Sequence, residues 1–229
     1  TFTGRYDGTS RLKKGYQWGF MPSLAFGWQM KNENFLKNVD AINSLKLRVS
    51  YGRTGNNNIG HDITWTKLDL SRYTFGDSGI NGFGLGGAKG NDDLKWEMTS
   101  EHNVGLDFGF FNNRISGSID AYSRTTNDLI FNKAVGSVNG FNSIYENIGT
   151  TTNKGLEIGL NTVNISTKDF YWKSKLSFSL NRNKIKDLYG DKKDDLGNRW
   201  FIGQPINVIY DLKQIGIWQE SESDEAFVR

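Results

Sequence analysis

Cysteine is absent from this chain of 229 residues, which excludes a disulfide framework, a thiol nucleophile and thiolate metal sites. Histidine is nearly absent too. Only His61 and His102 occur, with no H-E-x-x-H motif and no pair four residues apart, so zinc has too few nitrogen ligands at recognisable spacing and neither a metal nor another cofactor is expected. No apolar run approaches the roughly 18 residues of a transmembrane helix; a membrane-crossing strand, however, needs only about 9 to 11 residues with every second one apolar. The mean hydropathy of -0.57 is compatible with such strands. An excess of one charge is also lacking: 28 basic side chains face 25 acidic ones, interspersed along the chain, and no nucleic-acid partner is expected. The opening residues Thr1 to Tyr6 have no initiator methionine and no leader-like pattern, and already alternate like a strand. The sequence therefore reads as a piece of a longer chain.

What the chain does contain is 27 glycines and an apolar share carried by 15 Phe, 7 Trp and 9 Tyr, set among Asn, Ser and Thr. That mixture suits alternating strands and argues against disorder, collagen and helical bundles. Period-two alternation recurs six times. Trp18, Phe20, Leu24, Phe26 and Trp28 share one parity against Gly19, Ser23, Ala25 and Gly27; Leu45, Leu47, Val49 and Tyr51 oppose Lys46, Arg48 and Ser50. The same grammar governs Val104 to Phe110, Ile115 to Tyr122, Leu156 to Asn161 and Trp172 to Asn181.

Connections narrow the architecture further. Asn112-Asn113 and Ser166 to Asp169 read as tight turns and Asn32 to Ser44 as a moderately short link, whereas Arg53 to Asp93, Asn127 to Thr152 and the stretch beyond Asn183 read as long loops on the opposite side. A compact soluble domain rarely carries such loops, while outer-membrane barrels have short periplasmic turns and long extracellular loops. The predicted fold is all-β: an antiparallel transmembrane β-barrel segment. Trp18, Trp28, Tyr51, Trp96, Phe110, Tyr171 and Trp172 lie near strand ends, where rings anchor at a membrane interface, and they are the expected interfacial aromatics. The alternative is a soluble or surface β-sandwich or propeller that binds glycans through exposed aromatics, with loops of even length at both ends.

Catalytic motifs are not found. Gly82-Phe83-Gly84-Leu85-Gly86-Gly87 matches G-x-G-x-x-G formally, but no buried strand leads into it and no amphipathic helix follows, so it reads as a flexible loop. Asp191, Asp194 and Asp195 before Gly197 lack the spacing of a calcium loop and read as a solvated acidic turn. Asp92 and Asp93 are adjacent on an extended chain and point apart, unlike a glycosidase pair. No enzymatic activity is expected.

Several stretches resemble one family through nearly the whole chain and in its order: Arg5 to Arg11, Trp18 to Ser23, Leu45 to Asn56, Asp93-Leu94-Lys95-Trp96-Glu97, Asn103 to Arg114, Gly117 to Tyr122, Asn147-Ile148-Gly149, Asn153 to Glu157 and Gly203-Gln204-Pro205-Ile206. The sequence resembles the SusC/RagA-type TonB-dependent outer-membrane transporters of Bacteroidota. The resemblance implies a barrel of about 22 strands with a plugged lumen, of which residues 1–229 supply part of the C-terminal half. The plug domain, the TonB box and the final strands would lie outside this sequence. It further implies location in the bacterial outer membrane, contact with outer-membrane lipid, energy from TonB, a SusD-like surface lipoprotein as partner, and import of glycans or peptides. Arg48, Asp107, Asp120 and Glu157 are the lumen-facing candidates for substrate contact, and Phe131, Phe141 and Tyr145 are expected to help dock the lipoprotein.

Overall fold

Alternating sequence with frequent glycine and aromatic residues becomes one long sheet in the computed structural model, which describes residues 1–213 apart from 77, 86, 137, 139 and 191, together with Gly216. Strands β1 (Phe2–Gly8), β2 (Trp18–Gln29), β3 (Ile42–Asn56), β7 (Glu97–Phe110), β8 (Ile115–Asn127), β11 (Gly149–Ser166) and β12 (Tyr171–Leu188) lie side by side in that order. Every pair in this sheet is antiparallel. The long connections carry short strands of their own: β4 (Leu68–Phe75) pairs with β5 (Ser78–Leu85), and β6 (Ala88–Lys89) joins β10 (Ser143–Asn147) and β9 (Ile130–Ala134), with β6 and β10 parallel. Gly82 to Leu85, expected to be a flexible loop, are thus strand residues; Gly86 lies outside the described residues. Met30–Asn32 form a 3-10 turn, and among the described residues no helix is long and apolar enough to cross a membrane.

Three turns join strands at one end: residues 30–41, 111–114 and 167–170. The 111–114 turn is longer than the two-residue turn the asparagine pair predicts, since Phe110 pairs with Ile115 and Phe111 joins Asn112 and Asn113 at positive φ (53°, 56° and 60°). Asparagine tolerates that region; phenylalanine rarely does. Here the Phe111 amide donates to the Ala41 carbonyl at 2.9 Å, so the left-handed residue also ties this turn to the neighbouring one.

Register then sorts the side chains. Leu47, Leu106, Ile119, Ile158 and Phe178 form one continuous row across five strands, flanked by the row Val49, Val104, Ala121, Leu156, Leu180 and by the row Leu45, Phe108, Gly117, Leu160, Leu176. Nothing in the described chain covers this face: Phe26 is 62% exposed, Leu176 61% and Val104 49%. A soluble sandwich would press such a face against a second sheet, so the sandwich alternative fails. The opposite face carries Lys46, Arg48, Ser50, Asn103, Asp107, Asp120, Tyr122 and Glu157.

The apolar band also drifts along the sheet. Leu24, in the middle of the band on β2, begins a row that ends at Arg182 on β12, whereas the middle of the β12 band is Leu176, about six residues away. At about 3.3 Å per residue and about 4.8 Å per strand step over five steps, a band level with a membrane requires strands tilted by about 40°. That is the tilt of a transmembrane barrel wall.

The buried core is small and sits at the long-connection end. Pairing of β2 with β3 stops at Ser23–Gly52, while β2 continues along β1 and β3 continues along β7. Leu12, Met21, Ile59, Leu94, Trp96 and Met98 fill the opening between the two ribbons. Gly55 keeps it open, since a Cβ there would lie 2.9 Å from the Trp96 ring.

Leu106 offers a direct test of the apolar face. In the full barrel, Leu106→Arg should lower unfolding stability in lipid by about 2–4 kcal/mol, as an arginine near the midplane does, while the paired exchange Leu106→Phe with Phe108→Leu should change it by less than about 1 kcal/mol, because acyl chains conform to either shape. Denaturant titration in bilayers measures both.

Candidate functional site

Three of the four sequence-derived candidates converge on the polar face. Arg48 on β3 holds Asp107 on β7 through two hydrogen bonds, Nε to Oδ2 at 2.9 Å and Nη2 to Oδ1 at 2.8 Å, and its Nη2 also reaches the Asp120 carboxylate on β8 at 2.9–3.0 Å. Such a fork fixes geometry as well as charge. Arg48 and Asp120 are in the same row with Gly105 between them. A Cβ on Gly105 would lie 2.7 Å from the Arg48 guanidinium carbon and closer still to the Asp120 carboxylate, so only glycine lets the side chain lie flat across β7. One arginine thereby ties three strands together.

Glu157, the fourth candidate, stands opposite Asp120 on β11 but is exposed and has no ion-pair partner among the described residues. A second cross-strand tie lies outside the sequence-derived candidates: Tyr122 on β8 lies over Gly155 on β11, and its hydroxyl accepts a hydrogen bond from Asn181 on β12 at 3.0 Å. Further along, Arg124 pairs with Glu101 (2.6 Å). The signal for both was present in the parity pattern, because each residue falls on the polar side and each glycine in the same row. The resulting surface offers guanidinium, carboxylate, amide and hydroxyl groups for hydrogen bonding.

The aromatics divide. Trp18, Tyr171 and Trp172 are exposed. Trp28 packs edge-on against Phe35 and donates from Nε1 to Glu33 at 2.9 Å, Tyr51 leans on His102, and Phe110 stacks on Phe108. Trp96 departs from expectation: it is only 7% exposed, wedged in the core with Nε1 donating to the Gln17 carbonyl. The opening between the two ribbons needs a large filler, and Trp96 supplies it in place of an interfacial anchor. Phe131 and Tyr145 also turn inward, against Tyr189 and Trp200 and against the core respectively, and Phe141 is half-buried.

Beyond β12, the predicted acidic turn folds on itself; Asp191 lies outside the described residues. Asp194 accepts from the Ile202 amide, and Asp195 accepts from Asn198 and from the Tyr189 hydroxyl. Burial pushes the Tyr189 phenol up to about 12, helped by the adjacent Asp195 carboxylate. Burial pulls Asp195 upward, but the hydrogen bonds from Tyr189, Asn198 and Gly197 outweigh it and hold the carboxyl below its usual range. This tie is fully formed at neutral pH, weakens as acid protonates Asp195, and is lost in strong alkali.

The two-faced, tilted sheet has a counterpart among known families. Residues 1–213 match the model of the TonB dependent receptor-like β-barrel. The chain belongs to this family. Among the relatives of this TonB-dependent receptor segment, SusC of Bacteroides thetaiotaomicron is 43% identical over 202 residues, covering 85% of this chain and 20% of that protein. The TonB-dependent receptor P26 of Formosa agariphila is 37% identical, covering 99% and 24%. The RagAB peptide transporter structure superposes with a TM-score of 0.76 at 33% identity, covering 89% of this chain and 22% of the solved one. The segment is of the SusC/RagA type and spans about a fifth of the length of these relatives. TonB-dependent receptor barrels are outer-membrane proteins.

The Arg48 brace predicts a non-additive pair of substitutions. Arg48→Ala should cost the barrel about 1–3 kcal/mol by leaving two facing carboxylates without their cation, and Gly105→Val should cost a similar amount by displacing the guanidinium. In the Arg48→Ala background the valine should cost much less. Urea unfolding of the four variants measures the coupling; strict additivity would refute the brace.

Proposed function

We propose that this segment forms part of the barrel wall of an importer in the bacterial outer membrane. The transporter is energised by TonB, carries glycans or peptides inward, and performs no catalysis of its own. The observation that supports this most is the sheet itself: an uncovered apolar face, an opposite face of hydrogen-bonding groups, and homology to SusC and to the RagAB peptide transporter. Glycans and peptides both present dense hydroxyl or amide groups. A wall bearing the carboxylate of Glu157, the Tyr122–Asn181 pair and the Ser50 and Asn103 side chains is chemically suited to either. The residues 1–229 are assigned to the barrel domain, with plug and TonB box supplied by other parts of the same protein.

Partnership with a SusD-like surface lipoprotein is supported by the β4–β5 hairpin. Register places Leu68 opposite Leu85 and Leu70 opposite Phe83 on one face, and all four are more than half exposed. A lone two-stranded hairpin is marginal in water, and an apolar face of this kind needs a cover. The lipoprotein closing over the mouth provides one. This hairpin takes the docking role that Phe131 and Tyr145, turned inward, do not fill.

Two measurements test these readings. In intact cells, an impermeant maleimide should label the full-length transporter at Lys89→Cys, in the long connection, and spare Asn113→Cys, in the tight turn; the reverse pattern would overturn the orientation. Leu70→Asp with Phe83→Asp should cut lipoprotein co-purification at least tenfold without loss of folded barrel, and undiminished recovery would remove the hairpin from the interface.

A further inference from the structure

The apolar face does not end evenly. On its long-connection side the next two rows are Tyr51, His102, Ser123, Lys154, Arg182 and then Arg53, Ser100, Thr125, Thr152, Lys184. Charge thus appears on a parity that lower down carries no charged residue on β7, β8, β11 or β12. Lys154 lies directly opposite Arg182, and Lys184 and Lys186 continue the stripe along β12. Like charges facing each other across a strand pair repel. Yet all four side chains are exposed, and none has a carboxylate within 4.0 Å among the described residues.

Acidic residues are sorted away from this surface. On β7, β8 and β11, every Asp and Glu (Glu97, Glu101, Asp107, Asp120, Glu157) takes the polar parity, where Arg48 and Arg124 neutralise three of them. Asp187 follows the irregularity at Thr150/Thr151 and does not line the cationic surface. The four cations instead surround a shallow hollow of about 570 Å³, together with the hydroxyls of Ser123, Thr125 and Thr152 and the side chains of Leu156 and Leu180. Cations and hydroxyls stand above, leucines below, and the leucines continue into the lipid-facing rows.

We propose that this hollow binds the phosphorylated headgroup of a membrane lipid, with Lys154, Arg182, Lys184 and Lys186 on the phosphate and the acyl chains running down the rows that begin at Leu156 and Leu180. Continuity with the apolar band selects a lipid over a soluble anion, because only an amphipathic ligand satisfies both halves of the site at once. The proposal rests on the reading that the apolar face meets lipid.

The test uses the full-length transporter in detergent, with bisphosphorylated lipid A as probe and the same lipid stripped of its phosphates as comparison. Native mass spectrometry counts lipid retained after washing. Wild type should keep the phosphorylated probe, and Lys154→Gln/Arg182→Gln/Lys184→Gln should keep at least tenfold less, while Lys46→Gln on the polar face keeps as much as wild type. Heat-modifiable gel migration verifies that each variant is a folded barrel. Equal retention by wild type and the triple variant would overturn the proposal, as would equal retention of the dephosphorylated lipid. Full displacement of the probe by millimolar inorganic phosphate would overturn it in favour of a free-anion site. Failure of the underlying membrane reading is separately visible, because a wild-type protein that stays soluble and folded without detergent has no lipid-facing surface at all.

Discussion

A backbone that crosses hydrocarbon can satisfy its N–H and C=O groups only on the strand beside it. Everything else in this segment follows from that requirement. The long strands must pair along their length, from Gly149–Leu188 down to Ser166–Tyr171 in the longest case with irregularities only at Thr150/Thr151 and Val163/Ile165, and that pairing fixes which side chains share a row. Once rows are fixed, the two faces meet different solvents and diverge: aliphatic and aromatic on one, charged and hydroxylated on the other. Folding such a wall does not depend on a large buried core, and the small one present serves a local purpose where the sheet divides.

Period two makes most of this legible in the sequence, because a strand with one face in lipid and one in water alternates strongly between apolar and polar residues. Arg48, Asp107 and Asp120 were visible as polar-face residues for the same reason. Their mutual contacts were not, since alternation tells which face a residue occupies but not which residues on neighbouring strands stand level with it. Register supplied that. Glu157 shows the difference: identical parity, one strand further on, and no ion-pair partner among the described residues.

Sequence reasoning failed where the sheet stops being regular. Trp96 sits near the start of β7, which suggests a membrane-interface anchor, but the β3–β7 ribbon separates there from β2, and a tryptophan at a fork has a cavity to fill. The glycine-rich stretch at Gly82 reads as a flexible loop because no buried strand leads into it and no amphipathic helix follows. In β5 those glycines pair with β4 nonetheless, and hairpin pairing of this kind, far from the main sheet, leaves only a faint imprint on sequence. Phe111 at positive φ is a third case, where a contact to the adjacent turn overrides residue preference.

The bare Cα of Gly105 has a consequence for how the wall finds its alignment. Strands with alternating faces tolerate a slip of two residues, since parity is conserved and each apolar side chain merely meets the next apolar one. Such a slip of β7 would carry Asn103 or Asp107 into the place of Gly105 beneath the guanidinium of Arg48, where neither side chain fits. Gly155 under Tyr122 imposes the same condition between β8 and β12. Two vacant positions thus act as keyways, and a sheet that hydrophobicity alone would leave free to slide in steps of two has one setting in which both keys seat.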